Sequence, residues 1–256
     1  MLDELVLGAL ADSAVRRQQY PLKQVEAEAL AQTPSLDALA ALAPRDSVHI
    51  IAEVKRSSPS KGVLAAIVDP AALALDYQSG GASAVSVLTE GRKFGGSLQD
   101  LVAIRDAVSI PVLRKDFIAE PYQLFEARAA GADLALLIVA ALDNATLTEL
   151  FKLTNELGMT ALVETHSADE VERALDLGAD LIGVNARDLS TFELDQDLFG
   201  SLADRIPSGV IRVAESAVKS AADVAHYRRA GADVVLVGEA LVTSDPLATL
   251  NEFLAV

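Results

Sequence analysis

Gly131-Ala132-Asp133-Leu134-Ala135-Leu136-Leu137 is one of four near-copies of the same phrase. The others are Gly81-Ala82-Ser83-Ala84-Val85-Ser86-Val87, Gly178-Ala179-Asp180-Leu181-Ile182-Gly183-Val184 and Gly231-Ala232-Asp233-Val234-Val235-Leu236-Val237. They recur at intervals of roughly 50 residues, the length of two strand–helix units, which marks a repeat architecture. In each copy a Gly ends the preceding helix in the left-handed conformation, and a tight turn feeds a short apolar run too uniform to be a half-exposed strand. Between the copies lie further apolar runs at 49–55, 110–115, 159–164 and 210–214. Helical segments at 70–79, 121–130, 144–156, 168–177 and 220–230 separate them, several opening on Pro or a Ser/Asp cap. The alternation gives eight strands from about residue 49 onward, and eight parallel strands with helical crossovers close into a barrel. The expected fold is therefore α/β, a single (β/α)₈ TIM barrel of one domain. Residues 48–256 would form the barrel, and residues 1–47 a helical extension whose extra helix lies across one end. A doubly wound open sheet is the structural alternative, with fewer strands and no fourfold repeat.

Composition agrees. Of the 256 residues 51% are hydrophobic, as a sheet buried on both faces requires. The formal charge is −16, from 37 acidic and 21 basic side chains, so nucleic acid and anionic membranes are poor partners. The absence of cysteine removes disulfides and thiolate chemistry. The N-terminal residues Met1-Leu2-Asp3-Glu4 carry no basic, apolar leader, and no apolar run is long enough to span a bilayer. A cytoplasmic protein is expected, monomeric or weakly homo-oligomeric.

In such a barrel chemistry gathers where strands end, and side chains two apart share a face. Ile51, Glu53 and Lys55 fall together on the first strand, and Leu113, Lys115 and Phe117 on the third. The fifth gives Leu162 and Glu164, the sixth Gly183, Asn185 and Arg187, and the seventh ends at Glu215-Ser216. Apolar residues lead into polar ones at the mouth on every one of these strands. The segment Ser57-Ser58-Pro59-Ser60-Lys61-Gly62 and the backbone at Ser216-Ala217 and Gly238-Glu239 suit a phosphate. Taken singly, these features also have plain structural readings. Glu53/Lys55 could be an ion pair, and Arg187-Asp188 a loop salt bridge. His49, His166 and His226 show no ligand spacing and read as structural or surface residues. Asp143, Asp169 and Asp245 read as helix caps.

Together the runs resemble the indole-3-glycerol phosphate synthase family. Ile51-Ala52-Glu53-Val54-Lys55-Arg56-Ser57-Ser58-Pro59-Ser60 is the most specific match, followed in order by Pro111-Val112-Leu113-Arg114-Lys115-Asp116-Phe117 and Leu162-Val163-Glu164. Gly183-Val184-Asn185-Ala186-Arg187-Asp188-Leu189, Ala214-Glu215-Ser216 and Val237-Gly238-Glu239 complete the series. The resemblance implies closure of the indole ring on 1-(2-carboxyphenylamino)-1-deoxyribulose 5-phosphate with loss of CO₂ and water. It assigns Lys115 as general acid, Glu164 to proton transfer in the dehydration, and Lys55, Glu53, Asn185 and Ser216 to holding the reacting groups. Arg187 and Glu215 would bind substrate, and Phe94, Phe117, Leu136 and Leu189 would wall an aromatic pocket. Ser58, Ala217, Gly238 and Glu239 would hold the phosphate. No cofactor and no metal is expected, because ring closure needs a polarised carbonyl and proton transfer, which Lys and Glu side chains supply.

Two expectations are sharper. Burial and nearby cations should lower the pKa of Lys115, with Glu53 opposing. The family follows Ala-Glu-Ser with Gly where this chain has Ala217, and a negative φ is expected there so that Ala is tolerated. Two competing readings stay open here: another phosphosugar barrel such as an isomerase, and a phospholigand-binding barrel without catalysis.

Overall fold

A computed structural model describes residues 1–188, 191 and 193–256; Leu189 lies outside the described residues. Eight strands form a closed, wholly parallel barrel: β1 (His49–Val54), β2 (Ala84–Leu88), β3 (Val112–Lys115), β4 (Leu134–Ile138), β5 (Thr160–Thr165), β6 (Leu181–Asn185), β7 (Ile211–Glu215) and β8 (Val234–Val237). Neighbours in sequence are neighbours in space, and β1 closes the ring by pairing with both β2 and β8. The open-sheet alternative is thereby set aside.

The near-continuous apolar strands make sense once both faces are seen to be buried. Ile51, Leu113, Leu134, Leu136, Leu162 and Val213 point inward and pack on one another in the barrel interior. Their neighbours one residue away, such as Ile50, Ala52, Ala135, Val163 and Ala214, point outward into the core shared with the helices. A shift of one residue would exchange the two sets, so register and the inward direction of every strand end are fixed together.

The outer layer contains α4 (Pro70–Ser79), α5 (Leu98–Ala107), α6 (Pro121–Ala129), α7 (Asn144–Glu156), α8 (Ala168–Asp176), α9 (Leu198–Ala203), α10 (Ala221–Arg229), α11 (Glu239–Val242) and α12 (Pro246–Leu254). The repeated glycines behave as their position requires: Gly81, Gly131, Gly178 and Gly231 have φ of 92°, 87°, 76° and 95°. Asp143 and Asp245 cap α7 and α12 by accepting the backbone N–H groups of Thr146 and Ala248, at 2.8 and 3.0 Å. Asp169 does not cap. Ser167 takes that place and accepts from Glu170 N, while Asp169 sits in the first turn of α8.

The N-terminal extension is more than one helix at one end. Helix α1 (Leu2–Gln19) lays Leu2, Leu5 and Ala9 against the interior cluster, with Leu5 reaching the cavity at the mouth. Helix α2 (Leu22–Ala31) packs on α6, and the chain then runs to the opposite end. There Leu36 N donates to Asp133 at the entry to β4, and Ala43 O contacts His49 at the start of β1. Helix α3 (Ala38–Ala41) brings the fully buried Ala38 and Leu42 onto the interior cluster from that floor.

Candidate active site

Strand β3 delivers Lys115 to the mouth because its neighbour is anchored outward. Arg114, fully buried, donates to Gln123 O at 2.6 Å and Thr89 Oγ1 at 3.1 Å, and pairs with Asp116 at 3.0 Å. With Arg114 held in the layer beneath α6, alternation turns Lys115 inward. Its Nζ donates to Glu164 Oε2 at 3.0 Å and stands 3.3 Å from Glu215 Oε2. Glu164 Oε1 accepts from Asn185 Nδ2 at 3.2 Å, and Asn185 Oδ1 in turn accepts from Ser216 Oγ at 2.8 Å and Arg187 N at 3.0 Å. Across the barrel, Lys55 Nζ lies 2.7 Å from Glu53 Oε1, with Ser86 Oγ on the other carboxylate oxygen at 3.5 Å. Residues from strands β1, β3, β5, β6 and β7 thus form a polar ring of two clusters, Glu53–Lys55 and Lys115–Glu164–Glu215–Asn185–Ser216, which feel one another through charge.

Two glycines make room for it. A Cβ on Gly183 would stand 2.1 Å from Glu215 Oε1. One on Gly238 would stand 2.5 Å from Glu53 Oε1 and 3.0 Å from Lys55 Nζ. Both carboxylates therefore occupy space that any side chain at these positions would take.

The ring forms the base of a cavity of about 260 Å³. Leu5, Leu88, Phe94, Phe117, Leu136 and Ile138 make its apolar side. The Phe94 and Phe117 rings are tilted by 40° with centroids 6.1 Å apart. Phe94 is placed by Glu90, whose carboxylate accepts the backbone N–H groups of Arg92, Lys93 and Phe94. Ser58, Ala217, Gly238 and Glu239 line the opposite rim, where Glu239 pairs with Lys61. The sequence therefore foresaw residues that share one cavity; Leu189 alone lies outside the described residues.

The electrostatics correct one expectation. Burial alone would lower the pKa of Lys115, but the carboxylates of Glu164, Glu215 and Glu53 outweigh it and raise it. The expected neighbouring cations are not what surrounds the ammonium; it is wedged between carboxylates. Those two carboxylates diverge. Burial would raise Glu164, yet Lys115, His166 and Asn185 hold it below the usual carboxylate range. Burial and the nearby Glu164 push Glu215 up, against the pull of Lys115. Among the described residues neither Glu215 oxygen meets a well-aligned hydrogen-bond donor. A pair pushed apart in this way can hold one proton and offer one base.

Glu215, expected at the mouth as a substrate contact, lines the cavity 3.3 Å from Lys115. Its strand runs one residue further than the apolar run at 210–214 suggested, so Ile211, Val213 and Glu215 share the inward face. His166, read as structural, lies 3.5 Å from Glu164. It continues the Leu162–Glu164 face beyond β5, which also ends one residue later than expected.

Ala217 departs from expectation too: its φ is +57°, following Ser216 at +70°. Two successive left-handed residues turn the chain sharply between β7 and α10. Tyr227 Oη donates to Ser216 O and Gln196 Nε2 reaches Ala217 O, which tether the turn. A left-handed Ala costs about 1–2 kcal/mol, which the surrounding structure must absorb. Ala217→Gly is thus expected to stabilise the protein by up to about 1 kcal/mol after the entropy of the unfolded Gly is counted. Urea unfolding checks this, and equal or lower stability would show that the turn carries no strain.

Fold and site define a class, a (β/α)₈ barrel with Lys and Glu side chains gathered at the C-terminal mouth. The family model for indole-3-glycerol phosphate synthase matches residues 2–253. Relatives named indole-3-glycerol phosphate synthase include one from Leifsonia xyli subsp. xyli, 71% identical and covering 99% of this chain and 97% of that one. Another, from Mycobacterium tuberculosis, is 55% identical and covers 98% and 93%. The N-acetylmannosamine-6-phosphate 2-epimerase of Clostridium perfringens has a similar structure, with a TM-score of 0.62 over 81% of this chain and 92% of that one; at 13% identity it shares the fold alone. The chain belongs to the indole-3-glycerol phosphate synthase family.

Proposed function

We propose that this chain is a decarboxylating lyase of tryptophan biosynthesis, converting 1-(2-carboxyphenylamino)-1-deoxyribulose 5-phosphate to indole-3-glycerol phosphate, CO₂ and water. The observation that carries this reading is Lys115 Nζ held 3.0 Å from Glu164 and 3.3 Å from Glu215 at the foot of a cavity with one aromatic side and one polar rim. Membership of the family supports it throughout the chain.

In our reading Lys115 donates its proton to the substrate ketone as the ring carbon bearing the carboxylate attacks. The new C–C bond forms at the carbonyl carbon, whose oxygen becomes a hydroxyl. Loss of CO₂ returns the C–C bonding electrons to the ring. The hydroxyl then takes up a proton and departs as water, and the neighbouring methylene carbon, adjacent to the nitrogen, loses a proton to form the ring double bond; Glu164 exchanges a proton in this step. Phe94, Phe117 and Leu136 hold the anilino ring. Arg187 orients the departing carboxylate, and Glu215 contacts the substrate while bounding the Lys115 charge. Lys55, Glu53, Asn185 and Ser216 position the reacting groups. Ser58, Ala217, Gly238 and Glu239 surround the phosphate, a remote handle whose binding energy can be used for orientation. Positioned acids and bases contribute about 10²–10⁴-fold each, enough to make the ring of Lys and Glu residues the main source of rate.

We also take residues 1–47 and 48–256 as extension and barrel of one domain, working in the cytoplasm as a monomer or weak homo-oligomer. Among the described residues no helix is long and apolar enough to cross a membrane. Incubating the purified protein with the substrate and following indole absorbance tests the activity.

A further inference from the structure

His166 is a partly buried titratable group that the reaction above does not use. Its ring bridges two carboxylates: Nε2 stands 3.5 Å from Glu164 Oε1, and Nδ1 stands 3.3 Å from Glu170 Oε2. Glu170 also accepts the His166 backbone N–H at 2.8 Å, which fixes the residue where β5 leads into α8. The charged groups facing the imidazole are Glu164 on β5, Glu170 on α8 and, at longer range, Glu215 on β7. All three are acidic. Lys115 stands beyond Glu164, on the far side of that carboxylate.

Counting charge shows what the imidazole could do. The ring holds three carboxylates, Glu53, Glu164 and Glu215, against two ammonium groups, Lys55 and Lys115. Glu215, pushed up by burial and by Glu164, takes the proton of the carboxylate pair, which leaves Glu164 as the carboxylate that nearby positive charge keeps ionised. A charged imidazole at position 166 adds to the field of Lys115 there. Burial opposes that charge, but Glu170 and Glu164 outweigh burial and hold His166 above its ordinary pKa.

We infer that His166 is a positioning residue which, held as an imidazolium by Glu170, keeps Glu164 ionised and oriented for its proton transfer. Lys115 and Asn185 donate to Glu164 Oε2 and Oε1, and His166 Nε2 stands 3.5 Å from Oε1, its charge acting on the carboxylate without a hydrogen bond. Glu170 is part of the device. It is partly open to solvent, so the line Glu170–His166–Glu164 ties the protonation of a buried carboxylate to a group near the surface.

The inference deepens the proposed reaction and rests on the role given there to Glu164. Two measurements separate the claims. The chain has three histidines, so ¹H–¹³C NMR can follow each ring through a pH titration of the intact protein. His166 should titrate above a free imidazole, His49 below it because burial lowers its pKa. Glu170→Gln keeps an acceptor for the backbone N–H but removes the charge, and should bring the His166 midpoint down. In the kinetic arm, His166→Asn removes a cation beside Glu164, raising the proton affinity of that carboxylate. The acid-side limb of kcat/KM should move to higher pH, and Glu170→Gln should move it the same way by less. A purely structural role at the β5–α8 junction would lower stability and leave the limb in place. A limb unmoved in both variants, or a His166 midpoint unchanged by Glu170→Gln, would overturn the inference. Activity lost or retained in Glu164→Gln instead tests the role of Glu164, and the NMR result stands apart from it.

Discussion

Lys115→Met is expected to lower kcat by about 10³-fold or more, with a much smaller change in KM. Among the described residues the side chain is the one ammonium in hydrogen-bond contact with Glu164, and it stands between two buried carboxylates from different strands. Removing it takes away the proposed acid and the positive field at the developing alkoxide together, and each is worth orders of magnitude. The pH dependence of stability gives a second signature. In the intact protein Glu164 is held below the usual range, so its contribution to stability is present above the ordinary carboxylate pKa and fades as pH falls through its lowered value. Without the ammonium, burial raises Glu164 and Glu215 alike. Each raised group favours the protonated form, so the variant loses stability as pH rises above the ordinary carboxylate range. Thermal unfolding of Lys115→Met should therefore show its highest midpoint at mildly acid pH. Turnover near that of the intact protein would end the assignment of Lys115 as acid.

Gly183→Ala is expected to be nearly as damaging, although it adds one methyl group. Its Cβ would fall 2.1 Å from Glu215 Oε1, 3.3 Å from Glu215 Cδ and 3.4 Å from Leu162 Cδ1. A flexible surface carboxylate would swing aside. Glu215 is almost wholly buried and paired with Lys115, so moving it breaks the ring. Overpacking of this kind costs about 1–3 kcal/mol of stability. Activity should fall by about 10²-fold, because a small displacement of reacting groups carries that penalty. Denaturant unfolding and steady-state kinetics on the same preparation check both numbers. Full activity in Gly183→Ala would mean that Glu215 can leave its place without consequence, and that the ring is looser than its geometry.

What the sequence made legible follows from what is local. The four Gly-Ala-(Asp/Ser) phrases are local, and each glycine has the left-handed φ they imply. The i, i+2 rule is local as well, and it brought Glu53, Lys55, Lys115, Glu164 and Asn185 to one mouth. Strand length is less so. Polar residues are tolerated at a strand's last position when the partner strands supply counter-charges or acceptors, as they do for Glu215 and Thr165. An apolar run therefore ends before the strand does; Glu215 was still placed at the mouth as the end of the seventh strand, while His166 fell just outside. The charge state of Lys115 depends on Glu164 and Glu215, far along the chain, which only the closed barrel brings near. The left-handed φ of Ala217 is imposed by a turn that Tyr227 and Gln196 tether from α10 and the segment before α9, and no neighbouring residue announces it. The extension hid its reach for a similar reason: Leu5 at the mouth and Leu42 at the floor are ordinary leucines until the barrel they plug is present.

The central claim is that the Lys/Glu ring closes an indole on a phosphorylated substrate, and the most direct measurement is product formation by the purified chain. Given 1-(2-carboxyphenylamino)-1-deoxyribulose 5-phosphate, the protein should generate indole absorbance and CO₂ in equal amounts, and both should vanish together in Lys115→Met. Substrate that binds, as seen by fluorescence or calorimetry, but yields neither indole nor CO₂ would contradict the account and leave a phospholigand-binding barrel in its place.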